Sequence, residues 1–326
     1  MSHPFDRESG ASLLSVLVIV MLMSAAAVAA TDALARSVMI AKSSDARAET
    51  FWTARGAAVA GASYLRKAME LTEGHFTDES ELFTQPVTLP AGHGIVAMSV
   101  EEASNCFNLN ALLNEDGGTM VGESELAAYQ NLLVATGLNE AEADALAAKL
   151  ADWIDSDSST RTYGAENGVY AALGEPYRTS NTRLRSVSEL RAIDGYDPDV
   201  LARIEGLLCL HPGNEQSVLN LNTMTEDQAP LLVALFSSEL SDSDAQGLIE
   251  SRPAGGWESV EAFVQEPVVN QIAPDARRDM AVSVASSYLA ADVNIGTGDL
   301  ATSYRALYGQ AVGGEVALVS LVRRDF

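Results

Sequence analysis

The sequence predicts an α+β fold in which one long amino-terminal helix and a small antiparallel sheet carry a large helical insertion. Three observations predict it. Residues 11–31 (ASLLSVLVIVMLMSAAAVAAT) hold no charge, and neither Pro nor Gly interrupts helix-forming sequence until Gly56. An Asn-Leu-Asn signature at Asn108–Asn110 recurs at Asn220–Asn222, each time ahead of helical stretches. Alternating apolar residues appear before these, in His93–Val100, and again after Ala281.

The amino-terminal helix is expected to run from Ala11 to near Leu71, roughly 90 Å at 1.5 Å per residue. Its uncharged first part is long enough to cross a bilayer core of about 30 Å. Ahead of it stands MSHPFDRESG, a short polar leader that ends in Gly10 at the apolar boundary. That is the arrangement a prepilin peptidase cuts, between Gly10 and Ala11, leaving the helix in the mature protein. A secretory signal peptide is the competing reading, with Ala27-Val28-Ala29 as a small-x-small cleavage site. It prefers a basic start, whereas Arg7 here lies between Asp6 and Glu8. Beyond the span, Leu34, Val38, Ala41, Ala48, Phe51, Trp52, Ala58, Val59 and Leu65 form a stripe suited to a folded domain or to neighbouring helices. Gly56 and Gly61 would allow close packing, a tolerated glycine being the simpler account.

A break is expected over Gly74–Pro90, then the His93–Val100 strand. The two Asn-Leu-Asn segments are followed by helices and by a segment that opens Ser-Val and carries a Glu, Ser186–Glu189 in one and Ser259-Val260-Glu261 in the other. This reads as an internal duplication of a small unit of the sterile-alpha-motif or helix-hairpin-helix kind. Strands are expected again at Val282–Val284, Tyr288–Ile295, Tyr304–Gln310 and Glu315–Arg323, with turns at Gly296-Thr297-Gly298 and Gly313-Gly314.

Charge and motifs exclude several functions. Of 326 residues, 45 are Asp or Glu and 20 are Lys or Arg, a formal net charge of −25. Helix-hairpin-helix units often bind DNA, but a polyphosphate partner requires a basic footprint. Between Pro212 and Ala276 the sole basic side chain is Arg252, against eleven acids. No nucleic acid is expected. His3, His75, His93 and His211 form no metalloprotease pair, and there is no GxSxG elbow, Walker loop or dinucleotide fingerprint. Hence no enzymatic activity is expected.

One motif does carry chemistry. After an Ala-rich helix over Glu140–Ile154, counting Asp155 as position one of a calcium loop puts Asp157 at three and Ser159 at five. The Arg161 backbone carbonyl then falls at seven and Glu166 at twelve, with Asp152 near or in the shell. Calcium takes six to eight oxygens, and alternating short oxygen-bearing residues closed by a bidentate Glu can wrap it. Thr160 stands where an EF-hand has Gly, so a variant loop is expected; a solvated acidic loop that caps helix ends is the alternative. Asp242 and Asp244, lacking a closing Glu, read simply as a helix start.

Cys106 and Cys209 show no zinc or CxxC spacing. In an oxidising compartment a disulfide closing roughly 100 residues is expected, worth about 4 to 5 kcal/mol in the chain-entropy model. Two unrelated buried thiols are the other possibility.

The Gly10/Ala11 junction, the long helix, CFNLN from Cys106, DWIDSD from Asp152, GAENGVY from Gly164, SVSELRAIDGY from Ser186 and LNLNT from Leu219 together resemble the minor pseudopilin K family of the type II secretion system, over essentially the whole chain. The resemblance implies a pilin-like fold, long helix plus antiparallel sheet, whose sheet accepts the two helical units. It also implies a calcium site at the acidic loop and a place at the tip of the periplasmic pseudopilus, with minor pseudopilins I, J and H as partners and a single span in the inner membrane. Pilin-like subunits usually carry a Glu at the fifth position after the cut; here that position is Ser15, as the K subunit implies. The resulting segments are a leader 1–10, a span 11–31, half-helix and first strand 32–104, a first helical unit 105–216 with the calcium loop, a second 217–280, and the carboxy-terminal sheet 281–326. The rival function is a Sec-exported periplasmic module that binds a protein or saccharide through tandem helical units. A membrane-tethered hydrolase with calcium as cofactor is a third.

Overall fold

The computed structural model describes residues 8–91, 94–114, 118–213, 215–236, 239–273, 277, 280–295, 302–310 and 315–324. His3, His93 and the turns at 296–298 and 313–314 lie outside the described residues; of Gly10 and Ala11 only the backbone is described. The chain forms two compact parts, residues 1–56 and 57–326.

Helix α1 runs Glu8–Thr72. Its length and composition allow it to cross a membrane. Leu34, Val38 and Trp52 of the expected stripe are exposed at 64, 49 and 65%. The last turns behave differently. Ala57, Ala58 and Leu65 are fully buried and Met69 nearly so, while Val59 faces outward, contrary to the expected stripe. Gly61 is a required glycine: an added Cβ would meet Tyr308 Oη at 2.8 Å and Met98 Sδ at 2.9 Å. Gly56 has open space around its Cβ position and is merely tolerated. Tyr308 Oη donates to the Ala58 carbonyl at 3.0 Å, which seats this end of the helix on the sheet.

Within 74–90, where a break was expected, lie a one-turn helix α2 (Glu81–Thr84) and a strand β1 (Val87–Ala91). Pro90 hides such a strand in sequence, yet Pro is tolerated where the strand is an edge. β1 pairs antiparallel with β2 (Gly94–Glu102).

The first helical unit follows, with β3 (Phe107–Asn108), α3 (Glu123–Ala135), α4 (Glu140–Ile154), α5 (Asn167–Tyr170), α6 (Pro198–Ile204) and β4 (Leu208–Cys209). The second comprises β5 (Leu219–Asn220), α7 (Ala229–Leu235), α8 (Asp242–Glu250), α9 (Val260–Val264), α10 (Pro267–Asn270) and β6 (Val282–Ser283). β7 (Tyr288–Ile295), β8 (Thr302–Gln310) and β9 (Val316–Arg324) complete an antiparallel sheet of order β1-β2-β7-β8-β9. Both helical units are thus inserted between neighbouring strands β2 and β7.

Val282–Ser283 does not join that sheet as expected. It pairs parallel with Leu219–Asn220 and closes the second unit, as Leu208–Cys209 pairs parallel with Phe107–Asn108 and closes the first. Two residues are too short for alternation to tell one sheet from another.

The duplication extends to single hydrogen bonds. Asn110 exchanges two with the Leu184 backbone, Nδ2 to O at 3.2 Å and N to Oδ1 at 3.1 Å. Asn222 does the same with Trp257, at 3.0 and 2.8 Å. Leu184 and Trp257 each stand two residues before a helix-capping Ser, Ser186 and Ser259. A buried amide can satisfy a carbonyl and an N–H at once, and neither backbone group has another means of pairing in a loop. One continuous core runs through both units, from Phe107 to Val284.

Glu102, at the end of β2, joins the units to the sheet. Its Oε1 accepts from the Ala103 and Ser104 N–H groups, and its Oε2 from Asn220 Nδ2, Thr223 Oγ1 and Ser286 Oγ at 2.5 to 3.1 Å.

Candidate metal centre

The acidic loop begins where α4 ends. Asn139 caps α4 through a reciprocal box with Glu142, and the helix is buried along one side down to Trp153 and Ile154. That burial carries Asp152 and Asp155 inside, at 0 and 2% exposure. The chain returns through Glu166, 5% exposed, at the start of α5.

Asp155, Asp157 and Glu166 each place a carboxylate oxygen within 4.8 Å of the others. Two buried oxygens of this group, Asp155 Oδ1 and Glu166 Oε1, have no hydrogen-bond partner. Buried polar atoms are nearly always satisfied, and converging carboxylates repel, so the arrangement is one that a cation or a retained proton would relieve. An all-oxygen set of hard ligands fits calcium among common ions. These three residues would hold the ion, whose contribution is charge neutralisation and a fixed loop.

The electrostatics agree. Burial, reinforced by the charges of Asp157 and Asp152, pushes the Asp155 carboxyl up to about 7. Burial likewise raises Asp152 to about 6, against the hydrogen bond from the Arg161 N–H.

The remaining sequence-nominated residues frame the loop. Both Asp152 oxygens accept from the Arg161 backbone N–H at 3.2 Å. Ser159 is exposed, and its N–H donates to Asp157 Oδ1 at 2.6 Å. The Arg161 carbonyl accepts from Gly164 N–H at 2.9 Å. Its guanidinium stands 3.9 Å from both Asp152 and Asp155 and 2.7 Å from Glu123 on α3. Thr160 does not make a left-handed turn; Tyr163 does, at φ 66°.

Three contributors escaped the sequence reading. Gly164 leaves room for Asp152, whose Oδ2 would lie 2.0 Å from an added Cβ. Asn181, at φ 46°, donates from Nδ2 to the Asp157 carbonyl at 2.9 Å. Glu123 holds the arginine. Only the Tyr-Gly pair carried a local turn signal; the other two act across 24 and 38 residues.

A second cluster of metal-binding types joins Cys106, Cys209 and His211. Here the sulfurs are spent on each other: Cys106 and Cys209 form a disulfide with a Cα–Cα distance of 5.7 Å. His211 packs beside it, its Nδ1 2.9 Å from Ser217 Oγ and its ring stacked on Tyr288 at 3.9 Å. Burial lowers its pKa to about 4, so the imidazole is neutral.

A long amino-terminal helix whose last turns seat on an antiparallel sheet defines a pilin-like subunit, here with a helical head inserted between β2 and β7. Two family models described as "Type II secretion system (T2SS), protein K" match residues 105–213 and 219–285. Type II secretion system protein K of Pectobacterium carotovorum subsp. carotovorum is 33% identical over 299 residues, 90% of each chain. The protein of the same name from Klebsiella pneumoniae is 32% identical, over 85% of this chain and 84% of its own. A chain of the GspK-GspI-GspJ complex from enterotoxigenic Escherichia coli shares the fold, with a TM-score of 0.69 at 23% identity, over 88% of this chain and all of that one. The chain belongs to the type II secretion system protein K family and is a minor pseudopilin of that system.

Proposed function

We propose that this subunit caps the periplasmic pseudopilus, uppermost among the minor pseudopilins, and supports export across the outer membrane. The observation that carries this reading is Ser15. Pilin-like subunits use a Glu at that position to neutralise the amino terminus of the subunit above, and a serine hydroxyl has no charge to offer. A subunit so built takes no neighbour above it, and a helical head inserted in the sheet would obstruct a filament interior. Prepilin peptidase would cut between Gly10 and Ala11 and the Ala11 amine would be methylated. The span would hold the chain in the inner membrane with its head in the periplasm, free to join pseudopilins I and J, and H beneath them. The role is structural rather than catalytic, with calcium at Asp155, Asp157 and Glu166 holding the head loop. The fold match to a chain from a complex with GspI and GspJ supports those two partners.

Intact mass and amino-terminal sequencing of protein from membranes of its native host test the route: an N-methylated Ala11 is expected. A start near Ala30 would overturn it and favour the Sec-exported module. Co-purification tests the position. The native chain should retain I and J, and Ser15→Glu should admit a further subunit above it; unchanged filament composition would count against a cap.

A further inference from the structure

We propose that the Arg161 guanidinium is a built-in counter-cation of the acidic loop, parked by Glu123, which competes with calcium and sets how tightly the loop holds it. This rests on the calcium reading above. Two buried carboxylate oxygens, Asp155 Oδ1 and Glu166 Oε1, lack any partner. Among the described residues the positive group beside them is Arg161, with Nε 3.9 Å from Asp152 Oδ1 and 3.9 Å from Asp155 Oδ2. Those distances are electrostatic reach, beyond hydrogen bonding. The guanidinium's hydrogen bond goes elsewhere, from Nη1 to Glu123 Oε1 at 2.7 Å. The side chain is 23% exposed while Asp152 and Asp155 are closed to solvent, so the charge sits at the mouth of the loop.

The loop does not need this side chain for its shape. The contributions of Arg161 to the turn are its backbone N–H on Asp152 and its carbonyl on Gly164 N–H, which any residue supplies. What the side chain adds is a unit charge near ligands for a divalent cation, and like charges at such a distance oppose each other strongly where water is scarce. Glu123, 77% exposed in the first turn of α3, draws that charge outward. Without Glu123 the guanidinium would settle on the carboxylates.

The two halves of the ion pair therefore have opposite effects, which a merely structural bridge would not produce. Full-length protein in detergent, stripped with chelator, would be titrated with calcium chloride by calorimetry. Arg161→Gln should tighten binding about tenfold, and Glu123→Gln should weaken it several-fold. Arg161→Lys, which keeps the charge, should stay within about twofold. The double Arg161→Gln/Glu123→Gln variant should match Arg161→Gln alone. Weakening by both single substitutions would make the pair a strut and overturn the proposal, as would affinities all within twofold. If the native chain and Glu166→Gln alike take up no calcium, the calcium reading itself falls.

Discussion

The two helical units repeat one plan and close it differently. In both, an Asn two residues beyond a short strand clamps the backbone ahead of a capped turn, Asn110 on Leu184 and Asn222 on Trp257. In the second unit the return from α8 to Trp257 takes a few residues, and Arg252 binds it in place. Its guanidinium donates to the Leu221 and Met224 carbonyls at 3.2 and 2.8 Å and pairs with Asp78 at 2.8 Å. In the first unit the return from α4 to Leu184 spans the acidic loop. There the converging groups are carboxylates, and the unit also carries the disulfide. One repeat is held by a cation of its own; the other converges carboxylates where a cation would fit and adds a covalent tie.

That contrast predicts which treatment loosens which unit. The largest effect comes from the disulfide, which closes a separation of 103 residues around the first unit. Replacing both cysteines by Ala should cost about 4 to 5 kcal/mol by the chain-entropy estimate, less if the unfolded chain keeps structure. Hydrogen exchange should show protection lost from α3 and α4 ahead of α7 and α8. Equal loss across both units would mean that their shared core, not the plan of each, sets cooperativity.

Next in size are the clamps. Asn110→Ala and Asn222→Ala each strand a buried carbonyl and a buried N–H, at about 2 to 4 kcal/mol apiece. Thermal unfolding should show the two costs alike despite the different loops. A marked inequality would break the equivalence of the units. Arg252→Met leaves the Leu221 and Met224 carbonyls without that donor and should cost about 2 kcal/mol. It should loosen the second unit alone, whereas chelation should loosen the first alone.

Much of this architecture was legible in sequence because its signals are local. The α4 boundaries, the β7 strand and the Asp242 helix start each follow from periodicity or a cap within a few residues. The convergence of Asp155, Asp157 and Glu166 was legible because a loop's ligand spacing is a local constraint. Contacts made across the fold were not. β1 was lost to Pro90, β6 was expected as a strand but was too brief to reveal its partner, and Glu123 has no sequence mark connecting it with Arg161. The Gly61 packing role depends on Tyr308, far along the chain, so composition alone could not separate it from the tolerated Gly56.

The smallest and most diagnostic effect concerns pH. In chelated protein the Asp155 carboxyl, raised to about 7, keeps a proton that the unfolded chain releases near pH 4. Its contribution to stability is therefore fully present below about pH 4, declines as pH rises toward 7, and is gone above that. Asp152, raised to about 6, acts in the same direction over a narrower window. Most acids in a folded protein do the opposite, so the loop must be isolated by difference. Asp155→Asn keeps the shape and removes the titration. Without calcium, native and variant melting temperatures should nearly coincide at pH 4.5, and the variant should become the more stable as pH approaches 7.5. With calcium the order should invert at pH 7.5, because the ionised carboxylate is then a ligand and the amide a poor substitute. The second unit, closed by Arg252 and not by converging carboxylates, should show no such inversion when Arg252→Met is compared in the same way. A native-minus-Asp155→Asn difference that does not change with pH would mean that the loop carboxylates are ionised without a metal, and the contrast between the two closures would lose its electrostatic basis.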